Sequence, residues 1–168
     1  MSFNPVELRL LDLAGHWESF RNNDSKRLLI WRAKENALRF YQCFLEIQKY
    51  ESDYTVGDLF IVLDVPFQNS IQYSRALKES LADQYKASLE DLQQQEIAPD
   101  WRFDPGLYPD SASGFVQSFL AFGSHHHKSI GHLVAVFMPA EVSGHDDFAA
   151  WLTRALDRRL PERCVWSP

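Results

Sequence analysis

The sequence contains two cysteines, Cys43 and Cys164, in 168 residues. Two cannot build a disulfide framework for a chain of this length. Both stand among apolar neighbours and are expected to be reduced core thiols. No apolar run approaches the ~18 residues that span a bilayer, so a membrane partner is not expected. Lysine and arginine are never clustered, and the net charge is −6. A nucleic-acid binder needs a basic face against the phosphates, so nucleic acid is not an expected partner either. Residues Met1 to Asn4 have no basic region and no apolar stretch behind them. No secretory leader is therefore expected, and the default location is cytoplasmic.

Recurrent chemical motifs are missing too. The dinucleotide pattern G-x-G-x-x-G does not occur, nor does the nucleophile elbow G-x-S-x-G, nor the zinc pattern H-E-x-x-H.

What is present is core material: 45% hydrophobic and 14% aromatic residues, enough for one packed domain over 1–168. Three short apolar runs, Leu28–Trp31, Leu59–Leu63 and Leu133–Phe137, read as strands buried on both faces. Cys164-Val165-Trp166 starts a fourth. Helical spacing predicts helices over Pro5–Arg21, Lys34–Tyr50, Ser70–Gln95 and Ser113–Phe122, and a last one opened by Asp146-Asp147 and stopped by Pro161. In the second of these, Glu35, Arg39, Gln42, Glu46 and Lys49 make one narrow polar stripe, so that helix is expected to be covered on most sides. The alternation points to an α/β fold. Its expected form is a three-layer sandwich with a short, mostly parallel sheet of about four strands flanked by helices. A strand so near the last residue fits the N-terminal domain of a longer protein about as well as a natural edge strand.

Ligands of open α/β sheets sit beyond the carboxyl ends of the strands. A ligand crevice would therefore draw on Arg32 and Lys34 after the first run, Asp64 and Gln68 after the second, and Glu141 and His145 after the third. For Asp64 the plainer reading is a turn cap before Val65-Pro66. The segments "RLLIWRA", "DLFIVLDVPF" before a long helix, and "HLVAVFMPAE" before an acid-started helix resemble the core of P-loop ATPases of the AAA or signal-transduction type. The resemblance covers Arg27 to Trp166. It implies a parallel nucleotide-binding core in which a strand-end acid holds magnesium. The phosphate loop G-x-x-x-x-G-K-[ST] that hydrolysis requires is replaced by Arg32-Ala33-Lys34-Glu35-Asn36-Ala37-Leu38, with no glycine. The resemblance therefore implies a degenerate relative that does not hydrolyse nucleotide.

His125-His126-His127 reads as a solvated connector, because adjacent side chains diverge and rarely share one metal. A metal site joining one of them to His132 or to His145-Asp146-Asp147, or Cys43 acting with His132 or His145, would need tertiary contacts. No catalytic residue, metal or cofactor is assigned. The stretch Ile97–Ser113 carries Pro99, Pro105 and Pro109 and should hold no regular element. Its Trp101, Arg102, Phe103 and Tyr108 either fold back as a plug or form a partner-binding surface. The favoured expectation is a non-catalytic protein-interaction or adaptor domain of a bacterial cytoplasmic system, binding a protein or the remainder of its own chain. The alternatives are a degenerate nucleotide-binding domain and a metal-dependent or cysteine-based enzyme.

Overall fold

The computed structural model describes residues 4–23, 25–32, 34, 37–48, 58–94, 96–126 and 132–157, and the backbone of 164–167. The chain is α/β. Helix α1 spans Pro5–Arg21, as its spacing predicts. Its start is a capping box: the Asn4 side chain accepts from the Val6 N–H (3.1 Å), and the Glu7 carboxylate accepts from the Asn4 N–H (3.0 Å). Leu10, Leu13, Trp17 and Phe20 form its buried stripe.

Helix α2 spans Leu38–Ile47, shorter than the Lys34–Tyr50 expected; Lys49 and Tyr50 lie outside the described residues. It buries only Tyr41, Phe44 and Leu45. Leu38 stays 40% exposed and Cys43 faces solvent. The all-round cover expected from its sequence is thus corrected, and so is the buried Cys43. An apolar side chain is buried only where another element reaches it, and α2 meets α1 and the sheet on one side.

Strands β1 (Leu59–Leu63), β2 (Leu133–Phe137) and β3 (Cys164–Ser167) form one sheet in the order β1-β2-β3, both pairs parallel. Leu59 pairs with Leu133 and Leu63 with Phe137. All five residues of β2 are buried, as befits a central parallel strand covered on both faces. Among the described residues the sheet has three strands and not the four or so expected. The run Leu28–Trp31 makes only a lone bridge at Leu28, and Ile30 is 57% exposed. Leu28 packs into one core while Leu29 and Trp31 pack into the other. The run is therefore held by its side chains without a hydrogen-bonded ladder.

Helices α3 (Ser70–Ala87), α5 (Ala112–His125) and α6 (His145–Leu156) pack on one face of the sheet, against Ile61, Leu63, Leu133, Ala135 and Phe137. Trp151 of α6 is fully buried there, edge-on to Tyr73 at 4.9 Å, and its indole donates to Ser74 Oγ (2.9 Å). On the other face α1 and α2 cover Val134 and Val136, with Phe60 and Val62 beside them. The long helix expected over Ser70–Gln95 breaks at Ser88, and a short helix α4 (Leu89–Gln94) follows. Glu96 then adopts φ 58, and the Ile97 N–H closes onto Leu92 O (2.9 Å), the left-handed helix end of a Schellman type.

Candidate functional site

The exits of β1 and β2 are stitched together past the strands themselves. Met138 N–H donates to Leu63 O (2.9 Å), Phe67 N–H to Glu141 O (2.8 Å) and Ser143 N–H to Phe67 O (2.9 Å). Between these exits and α2 lies an open crevice of about 670 Å³. That size falls in the ~300–1,000 Å³ range of small-molecule sites, and the position is where α/β sheets bind ligands. Trp31, Tyr41 and Phe60 give it aromatic walls, and Leu45, Val62 and Met138 aliphatic ones. Its polar lining includes Gln42, Glu46 and Asp64.

Of the six crevice residues expected from the sequence, only Asp64 lines this space. Arg32 and Lys34 are exposed and do not line it, a correction that follows from the missing strand at 28–31. Gln68, Glu141 and His145 are also exposed and lie outside the lining. Phe67 and Val142 make an isolated parallel bridge that carries the chain past the crevice before Gln68 and His145 are reached. The helix start after β1, where a phosphate would dock, is closed by Asn69, whose side chain accepts from the Ile71 and Gln72 N–H groups (3.1 and 2.9 Å). The walls Trp31 and Tyr41 were not legible as site residues, because only the placement of α2 brings them together.

A second site candidate is the segment from Ile97 to Ser113. Trp101 is buried in the core with α3 and α5: it stacks on Phe103 (centroids 4.5 Å apart, planes 9° apart) and meets Tyr85 and Phe122 edge-on at 5.0 Å. Its backbone N–H donates to the Tyr85 hydroxyl (3.1 Å). Trp101 is thus a plug, which corrects its place in a partner-binding surface; Phe103 and Tyr108 are half-buried beside it and Arg102 is exposed. Pro105–Leu107 forms a 3₁₀ turn where no regular element was expected, capped by Asp104, whose side chain accepts from the Gly106 N–H (2.9 Å).

Lys78 of α3, 1% exposed, holds this turn from below. Its ammonium donates to Pro105 O (3.0 Å) and Tyr108 O, and pairs with Asp110 (3.0 Å), so all three N–H bonds are used. Arg75 also pairs with Asp110 (2.7 Å), and the two cations, Arg75 first, hold the Asp110 carboxyl below the usual carboxylate range. At the far end, a Cβ on Gly114 would lie 2.0 Å from Pro109 O, so the start of α5 is pressed against the loop. At the apex of this fixed turn Leu107 is 78% exposed. The sequence does carry a trace of Lys78: it lies between Ser74 and Ala82, small residues on its own helix face.

Two histidine pairs complete the inventory. Asp58, its side chain fully buried, accepts from the Trp17 indole (2.8 Å) and lies 2.8 Å from His132 Nδ1 and 3.6 Å from Arg21 Nε. This pair sits at the amino ends of β1 and β2, away from the crevice, and ties α1 to both strand starts. At the end of α5, His125 pairs with Asp100 (2.6 Å) and keeps that carboxyl below its usual range. His126 is buried against Phe122 (4.9 Å) and Tyr85 (5.7 Å), so the solvated connector expected there is corrected for His126; His127 lies outside the described residues. Among the described residues no group of three or more His, Cys, Asp or Glu side chains could hold a metal ion. No helix among them is long and apolar enough to cross a membrane. No protein-family model, curated protein or solved structure matches this chain.

Proposed function

We propose that the chain is a non-catalytic protein-interaction domain that presents the 97–113 segment to a protein partner or to the remainder of its own chain. One observation carries this reading. Leu107 is the most exposed of the large hydrophobic residues among those described, yet it stands on a turn held by the buried Lys78 ammonium, the Asp104 cap and the Trp101 plug. A mobile tip can place a leucine in water at no structural cost. A tip fixed from three sides keeps it there, and a preorganised apolar contact loses little entropy on binding. Arg102, exposed on the same segment, supplies a charged contact beside it. Trp101 acts as the anchor of the surface and not as a contact.

The degenerate nucleotide-binding reading has less support. No lysine or arginine among the described residues lines the crevice, and Asn69 already occupies the helix-start amides a phosphate would use.

The test is a photo-cross-linking residue at position 107, compared in cells of the source organism with one at the exposed Leu8 of α1. A discrete adduct from position 107 alone identifies the partner. The purified partner should then bind the wild type and lose at least about tenfold in affinity against Leu107→Asp. Identical smears from both positions would mean that the loop is not a contact surface.

A further inference from the structure

The crevice has a chemical character of its own, independent of the loop. Among the described residues its lining contains carboxylates, Asp64 and Glu46, and no lysine, arginine or histidine. Asp64 is exposed and forms no ion pair among the described residues. A phosphate or carboxylate entering there would meet like charge. A bare metal ion would find too few oxygen donors among aromatic and aliphatic walls. Aromatic faces and a carboxylate together favour a different guest. Trp31 and Tyr41, 5.5 Å apart, supply ring surface of the kind that attracts a cation through the electron-rich face.

We propose that this crevice binds a small organic cation: an ammonium group on an apolar body of about aromatic size. The ammonium pairs with Asp64, and the body packs on the walls that Trp31, Tyr41 and Phe60 give the crevice. Binding is a plain association with no covalent step.

The test uses purified full-length chain and three ammonium probes of increasing bulk, tyramine, benzyltrimethylammonium and tryptamine, with 4-hydroxyphenylacetate as the anionic match of tyramine. Calorimetry should give saturable one-to-one heat with at least one cation, and at least about tenfold weaker binding of the anion. Asp64→Asn, at an exposed position, should fold normally by circular dichroism. It should weaken the cation about tenfold without weakening the anion. Trp31→Phe should abolish most of the ligand-induced change in tryptophan fluorescence. Absence of saturable heat with all three cations overturns the proposal. So does equal binding of tyramine and its anionic match, or an Asp64→Asn variant that binds the cation as the wild type does.

Discussion

Lys78, in the middle of α3, lies 3.0 Å from Asp110 at the far end of the proline-rich segment, and its remaining two N–H bonds go to the carbonyls of Pro105 and Tyr108. One buried ammonium therefore fixes three points of a segment with little regular structure of its own. Lys78→Met keeps the apolar stem and removes the charge. It leaves two carbonyls without a donor at a site with almost no water access, at an expected cost of about 2–4 kcal/mol. Urea unfolding measures the loss. Limited proteolysis locates it: new cuts should fall within 102–110 before the rest of the chain opens. A variant with wild-type stability and an uncut loop would mean that Lys78 merely passes beneath the turn.

Trp101 and Leu107 lie on the same segment and should respond in opposite ways. Trp101→Ala removes a ring packed against Phe103, Tyr85 and Phe122 and should cost about 3–5 kcal/mol in thermal or chemical unfolding. Leu107→Ala, at a position 78% exposed, should change stability by less than about 0.5 kcal/mol. Equal effects from the two substitutions would contradict the division of the loop into an anchor and a displayed tip.

The parts of the fold legible in the sequence are those where one signal decides. Leu133–Phe137 is apolar on both faces because both faces are covered, Leu59–Leu63 buries Ile61 and Leu63 on one face and only half-buries Phe60 and Val62 on the other, and α1 carries its own cap and stripe. The run at 28–31 has the same composition but takes its place from contacts distant in sequence, and composition cannot separate an edge segment from a ladder strand. Of the crevice, Asp64 was legible because it ends a true strand. Arg32 and Lys34 were misplaced because the strand they were read from is absent. Lys78 and His126 were missed for a shared reason: a polar residue type argues for exposure, and only the neighbours that arrive in the folded chain, two carbonyls in one case and two rings in the other, overrule it.

Cys43 offers a direct check on the one-sided burial of α2. Its thiol is free and exposed. In a Cys164→Ser background the native protein should react with a disulfide reagent about as fast as the urea-unfolded protein does. Protection by orders of magnitude in the native state would restore the fully covered helix expected from sequence pattern.

His126 makes stability depend on mildly acidic pH. Burial against Phe122 and Tyr85, and next the charge of His125, push its imidazole below the ordinary value of about 6.5, with Asp100 opposing only in part. The unfolded chain therefore binds a proton at this position at a higher pH than the folded chain does. Stability conferred by the neutral ring is fully present above about pH 6.5 and falls as the pH drops from there toward the lower folded value. Asp100 acts in a separate window. Its carboxyl is held down chiefly by the hydrogen bond to His125, so its contribution is lost only as the pH falls below the ordinary carboxylate range. His126→Phe keeps an aromatic ring in the same apolar site without the titration. Urea midpoints measured from pH 7.5 to 5 should decline for the wild type and flatten for His126→Phe, while Asp100→Asn should leave the slope above pH 5 in place. Parallel profiles for the wild type and His126→Phe would show that the ring is protonated in the folded state without cost.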